Sequence, residues 1–388
     1  MLVGDVSCTP MPDLQRLFGL ARDLVAIDTT SGRSLVASHH LIEAHVAGEE
    51  VTVERLPGSG DDRPSLLLRK GGDGPDGLLL CGHLDTVPLG DGWSGDPLVL
   101  TECEGRWYGR GACDMTVFCA LAVELIRGAA IDQPLAVLLL GDEELGALGA
   151  AALVEGWPNG RTLPRSCVIG EPTSMQVVGA HTGHLKATIT VRGATGHTGT
   201  PGSGRNAIVP IEPVLHTIDA IRAQWETVRT ERSSLVPVPH PVIAVVGLEA
   251  GNAWNVIPDQ ASVRIGVRAL PDQNPRDLLG QVVEQLTVAL DGEDWWLDLY
   301  NDNPPLDTQE SSPAHTWLLE RLGQNAPQGA AFCSDAGHLT HLGLEPVLFG
   351  PGCIAQAHRP DEFVPVDEVS VVAEHLEAMI EAFCGDAP

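Results

Sequence analysis

Short apolar runs that stop abruptly at charged turns dominate the first 170 residues and recur near the C-terminus. Residues 77–81, 135–140, 166–169 and 346–349 are runs of this kind. Bounded by glycine or acids, they are expected as central strands of a sheet covered on both faces. Residues 13–27 place Leu14, Leu17, Leu20 and Leu24 at helical spacing, with Pro12 suited to a first-turn position. Further helices are expected at 115–127, 145–154 and 366–384. Strands alternating with helices in this way predict an α/β domain.

The middle of the chain has a different period. Residues 184–191 alternate, with Leu185, Ala187, Ile189 and Val191 on one face, as a half-exposed strand requires. Residues 242–246 and 261–270 read as further strands, and 207–228 and 275–290 carry helical periodicity. Two helices over an antiparallel sheet make a small α+β, ferredoxin-like domain. After about residue 288 the α/β character returns. The expected organisation is therefore a catalytic α/β domain in two parts, 1–178 and 289–388, with an inserted domain at 179–288. A length of 388 residues agrees with two cores rather than one.

Composition removes several function classes. The formal net charge of −29 disfavours phosphate backbones and anionic lipid as partners, so neither nucleic-acid nor membrane-surface work is expected. The N-terminal dozen residues lack a basic segment followed by an apolar run. No apolar stretch reaches the ~20 residues that span a bilayer. Nine scattered cysteines without a CxxC pair read as free thiols in a reducing compartment. A cytoplasmic location is expected.

Candidate chemistry collects where strands end, the edge at which open α/β sheets place their sites. In Gly82-His83-Leu84-Asp85, the histidine and the acid stand two apart. Asp85 could orient a metal-binding His83 if the chain bends beyond it, or both could simply form a turn. Asp114, in Gly109-Arg110-Gly111-Ala112-Cys113-Asp114, stands at a helix start, where it reads either as an N-cap or as a carboxylate bridging two cations. Cys113 has no histidine paired with it nearby and reads as core. Asp142, Glu143 and Glu144 follow the run 135–140 directly. Like charges at a buried strand end are costly unless something cationic is present, and adjacent glutamates allow one to bind metal while the other moves a proton. Glu171 ends another strand, and His358 lies in the loop Gln356-Ala357-His358-Arg359-Pro360-Asp361-Glu362. Two histidines and three carboxylates at five junctions, besides Glu143, suit a pair of borderline divalent ions.

In this order the five motifs resemble the M20 metallopeptidase family over nearly the whole chain. The resemblance implies a zinc-dependent exopeptidase-like catalytic domain carrying a lid and dimerisation domain. It implies two divalent ions, zinc expected and cobalt able to replace it. One would be held by His83, Asp114 and Glu171, the other by Asp114, Glu144 and His358, with Asp114 bridging. It further implies Glu143 as general base, Asp85 as the carboxylate behind the metal ligand His83, and His197, in Gly196-His197-Thr198-Gly199-Thr200-Pro201, as a residue reaching the partner subunit's site in a homodimer. Asn255 and Arg268 stand where the family binds a substrate carboxylate. An arginine fork suits that group, although Arg268 could equally be a surface strand residue. His181 and His184 fit no ligand position and read as structural.

Three segments, 169–175 (IGEPTSM), 179–184 (GAHTGH) and 350–362 (GPGCIAQAHRPDE), look closest to the acetylornithine deacetylase branch of that family. That branch implies release of ornithine and acetate from N-acetylornithine, a step of arginine biosynthesis. The alternatives are another N-acyl amino acid such as succinyl-diaminopimelate, a carboxypeptidase or dipeptidase of the same family, and a member that has lost catalysis. Ala180-His181-Thr182 lacks the arginine pair usual in the desuccinylases. Thr182 also departs from the lysine frequent in the deacetylases, and Thr116, Val117 and Phe118 depart from the lysine and glycines common after the bridging aspartate.

Overall fold

The computed structural model describes residues 13–385. The chain divides into two compact units. One is formed by the residues up to Gly179 with Thr308–Gln328 and the stretch from Ser334 onward; the other comprises Ala180–Asp307 with Gly329–Cys333.

In the first unit the strand order is Thr52–Gly60, Arg63–Lys70, Leu135–Leu140, Leu78–His83, Ser166–Ile169 and Glu345–Leu348. The first three pair antiparallel, while Leu135–Leu140, Leu78–His83, Ser166–Ile169 and Glu345–Leu348 run parallel. The parallel strands are the expected apolar runs, and Leu78–His83, Leu135–Leu140 and Ser166–Ile169 are buried along their whole length. Because they run the same way, His83 pairs with Leu140 and Leu348 with Ile169. Their C-terminal ends therefore share one edge.

The helix Thr116–Gly128 is buried from Thr116 to Ile126, lacking the polar stripe of a surface helix. The helix Leu14–Val25 is capped by Asp13, whose side chain accepts from the Gln15 N–H; Pro12 lies outside the described residues. The helix expected from 145 begins at Leu148, because Gly146 and Ala147 take left-handed backbone in the turn before it. The helix Val366–Cys384 closes the unit.

The second unit is a four-stranded antiparallel sheet in the order Val242–Ala250, Gln260–Ala269, Gly183–Arg192, Asp294–Asn303. Leu185, Ile189 and Val191 on one strand and Val263, Ile265 and Val267 on its neighbour form a core with Ile218 and Trp225 of the helix Ile211–Trp225 and Val282 and Leu286 of the helix Pro275–Ala289. The fourth strand lies beyond residue 288, and the unit runs on to Asp307. Asp294, Asp298 and Asn301 give that strand a polar appearance in sequence, yet it pairs with Gly183–Arg192 from Asp294↔Arg192 to Asn303↔His184. Among the described residues no helix is long and apolar enough to cross a membrane.

Candidate metal centre

His83 is the last residue of its strand and only 1% exposed. The chain bends beyond it, so that its Nδ1 donates to the Asp85 backbone carbonyl at 2.9 Å and lies 3.5 Å from the Asp85 carboxylate. With Nδ1 carrying the proton, Nε2 faces Asp114 Oδ1 at 3.1 Å. The Asp85 carboxylate also accepts the backbone N–H groups of Glu143 (3.0 Å) and Glu144 (3.2 Å) and the Ser31 hydroxyl (2.7 Å). It therefore holds the turn bearing the two glutamates while lying beside the imidazole.

The three acids after Leu135–Leu140 divide. Asp142, at φ 53°, leaves the cluster to accept from Arg63 Nε at 2.8 Å and Gly32 N at 2.7 Å. Glu144 Oε1 lies 2.8 Å from His358 Nε2, which is also 3.2 Å from Asp114 Oδ2. The Glu143 carboxyl forms no hydrogen bond or ion pair with a described residue. Asp114 is thus shared between two groups, His83–Asp114–Glu171 and Asp114–Glu144–His358, in each of which one donor atom per residue lies within 4.8 Å of the others.

Charge balance tests whether such groups suit cations. Burial, reinforced by neighbouring acids, pushes the Glu143 and Glu171 carboxyls well above the ordinary carboxylate range. Burial likewise raises Glu144, against the pull of His358. The histidines respond in the opposite sense. Bonds to Asp114 and Glu144 lift His358 to about 10, and although burial opposes its protonated form, the carboxylates of Asp114 and Asp85 carry His83 above its usual value. Protons on these groups supply positive charge where nitrogen and oxygen lone pairs converge, which is the demand a divalent ion meets. The donor set fits a pair of borderline ions sharing one carboxylate.

Two acids of this neighbourhood carry no role in the sequence analysis. Glu362 is 1% exposed; one of its oxygens accepts from Cys113 N at 2.9 Å and Asp114 N at 3.1 Å, the other from Arg110 Nη1 at 2.6 Å. Burial and the nearby Asp114 raise Glu362 to about 7 against the pull of Arg110. Asp335 is 2% exposed, its Oδ1 has no hydrogen-bond partner among the described residues, burial lifts it to about 7, and its charge acts on Glu143 and Glu171. Both acids sit in loops remote in sequence from the first motifs, so only the fold associates them with the cluster. Cys113, read as core, is buried, and burial pushes its thiol well above the ordinary range, away from that of a nucleophile at neutral pH.

The remaining candidates belong to the second unit. His197 is exposed and pairs with Val256 across a two-stranded ladder; its Nδ1 accepts from Gly199 N at 2.9 Å, and Asn255 accepts through its backbone oxygen from Thr198 N at 3.2 Å. Arg268 lies opposite His184 on the neighbouring strand and donates from Nη1 to the Cys333 thiol at 3.0 Å. It meets no carboxylate among the described residues. Burial lowers His181 to about 4 and His184 to about 3, with the Arg268 charge adding to both.

Comparison with known proteins places the chain in a family. The model of peptidase family M20/M25/M40 matches residues 79–382, a span holding all five donor positions. The acetylornithine deacetylase of Myxococcus xanthus is 33% identical over 372 residues, covering 94% of this chain and 96% of its own length. That of Proteus mirabilis is 33% identical over 327 residues, covering 82% of each. Among solved structures, an M20 family metallo-carboxypeptidase from Sulfolobus solfataricus superposes with a TM-score of 0.75 at 17% identity, covering 95% of this chain and 98% of that one. A dinuclear metal-binding peptidase of the M20 family from Bacillus subtilis does so with a TM-score of 0.65 at 16% identity, covering 94% and 97%.

Proposed function

The chain belongs to peptidase family M20/M25/M40, a hydrolase of amide bonds, and from that premise we propose that it deacetylates N-acetylornithine to ornithine and acetate, serving arginine biosynthesis. The observation that carries the chemistry is the sharing of Asp114 by two donor groups, beside Glu143, whose carboxyl has no partner among the described residues. Retention of every donor position disfavours a non-catalytic role. The substrate follows the two deacetylases that match most of the chain.

His83, Asp114 and Glu171 would hold one ion and Asp114, Glu144 and His358 the other, with zinc the proposed metal and cobalt a substitute. Bound there, the ions would supply Lewis acidity, making water acidic and polarising the scissile carbonyl. The Glu143 carboxylate takes the proton from the attacking water and passes it to the departing amine nitrogen, acting as base and then acid. Asp85 fixes the backbone of the glutamate turn so that Glu143 keeps its aim. Asn255 and Arg268 receive the substrate carboxylate; a guanidinium without an acidic partner is free for a bidentate contact.

The inserted unit serves as lid and dimerisation domain, with His197 donating to the oxyanion in the partner subunit's site. The edge strand Val242–Ala250 supports the homodimer, since it leaves Val246 and Leu248 exposed at 66% and 50% beside an unpaired ladder. Eight cysteines among the described residues, none of them in a disulfide, support a reducing, cytoplasmic setting.

A panel of N-acetyl amino acids including N-acetylornithine, with N-succinyl-diaminopimelate and dipeptides beside them, tests the reading. N-acetylornithine is expected to be hydrolysed fastest, the activity vanishing with a chelator and returning with zinc or cobalt. Faster turnover of the succinylated compound or of a dipeptide would replace this substrate with one of the alternatives. Thr182, whose hydroxyl donates to the Ala331 carbonyl at 3.4 Å, is the feature that favours testing other side chains.

A further inference from the structure

Glu362 lies behind the shared ligand rather than among the donors. Its Oε1 receives the Cys113 and Asp114 N–H groups and its Oε2 receives Arg110. Its own carbonyl accepts from Gly109 N at 3.0 Å. Arg110 continues the chain of contacts. Through Nη2 it donates to the carbonyls of Pro88 (3.2 Å) and Leu89 (3.0 Å), and its guanidinium lies 4.9 Å from the centre of the Trp93 ring. Asp361 accepts from Ser94 N and Ser94 Oγ, both at 2.8 Å. Three loops are thereby tied together: the one that follows His83 and Asp85, the one that ends in Asp114, and the one that carries His358.

The two donor groups depend on this tie unequally. His83 closes a strand held on both sides by parallel neighbours, and Glu171 stands two residues beyond another. His358 has no strand behind it. It occupies left-handed backbone, φ 62°, on a loop where Asp361 does the same at φ 55°, and its side chain is 47% exposed. Such conformations persist only where the surroundings over-determine them. The contacts of Glu362 and Asp361 supply that constraint, and Glu362 links it directly to the backbone of Asp114.

We propose that the buried Glu362–Arg110 pair is a positioning device that holds Asp114 and the His358 loop in mutual register, and so governs binding of the ion bounded by Asp114, Glu144 and His358 more than that of the ion bounded by His83, Asp114 and Glu171. It rests on the dinuclear reading given above. The competing account is that the pair only stabilises the fold. The two differ once the charges are removed together, because replacing a buried ion pair by apolar groups of similar volume commonly preserves stability.

The test is titration of metal-free protein with zinc, by calorimetry and by competition with a chromophoric chelator, alongside thermal unfolding. Wild type, Glu362→Gln and the double variant Arg110→Met/Glu362→Met are compared. Wild type is expected to take up two ions. Glu362→Gln, which sets an amide N–H against Arg110, is expected to keep the first ion within a few-fold of its affinity and to lose at least tenfold for the second. The double variant is expected to regain the wild-type Tm without regaining the second ion. Two ions bound at wild-type affinity by either variant would overturn the proposal, as would an equal loss at both positions. A wild-type protein that binds fewer than two ions would remove the dinuclear reading and the proposal with it.

Discussion

The two sheets of this protein are made for different tasks. In the first unit the parallel strands are buried on both faces, so their side chains are committed to packing and the chemistry stands at or just beyond their ends, in His83, Glu143, Glu144 and Glu171. In the second unit the strands alternate, one face packed on two helices and the other open. Titratable groups at the ends of the first sheet are crowded and desolvated. Arg268, on the second, is half-buried, with a thiol rather than an acid against it. A buried edge thus concentrates titratable groups, whereas a half-exposed sheet leaves its polar face available.

The largest effect expected from breaking this contrast is at Glu143, the proposed base. Glu143→Gln should lower kcat by roughly 10³-fold, within the range for loss of a general acid–base, while metal content measured on the purified variant stays the same. Retained turnover would move the base elsewhere.

Packing should show the same asymmetry. Leu138, fully buried in the central sheet, should cost about 2–5 kcal/mol on truncation to alanine. Val246, 66% exposed on the outer strand of the second sheet, should cost no more than about 0.5 kcal/mol for the same change. Urea unfolding of the two variants measures both. Near-equal losses would mean that the second face is covered in solution, as the homodimer would do.

Acid should act through buried neutral histidines. Burial lowers His39 to about 4, against an ordinary imidazole value of 6.5. Its stabilising contribution is therefore present above pH 6.5. It declines as pH falls towards 4, because over that window the unfolded chain binds the proton more readily. His184, lowered to about 3 on the second unit, acts with the same sign. Replacing His39 by leucine should flatten the slope of unfolding free energy between pH 6.5 and 4, which titration of the urea midpoint would detect.

The smallest effect is expected in recognition. Arg268→Lys keeps the charge but loses the fork. It should raise KM for the N-acyl substrate by about tenfold with kcat nearly unchanged; a fall in kcat at constant KM would instead give Arg268 a part in the chemical step.

Much of this contrast was legible from sequence because each part leaves a periodic or local signal. Runs such as Leu135–Leu140 state their burial directly, and an acid or histidine just after such a run is conspicuous. Alternation at 184–191 identified the strand Gly183–Arg192 for the same reason. The strand Asp294–Asn303 was missed because its acids and asparagines mask a partner supplied from a hundred residues earlier in the chain. The hairpin Thr52–Gly60 with Arg63–Lys70 escaped notice because its first strand is largely unburied. Asp142 could not be told from Glu143 by adjacency; Arg63 draws it away only once the hairpin folds against it. Glu362 was hidden most completely, since its partner Arg110 lies 252 positions away and neither residue breaks a local pattern.

The account turns on five residues enclosing two ions with one carboxylate between them. A crystal structure of zinc-loaded protein, with anomalous differences collected at the zinc edge, measures this directly. Two peaks about 3.5–4 Å apart, one touched by His83 and Glu171, the other by Glu144 and His358, and both by Asp114, are the expected result. A single peak, or two peaks without Asp114 between them, would contradict it.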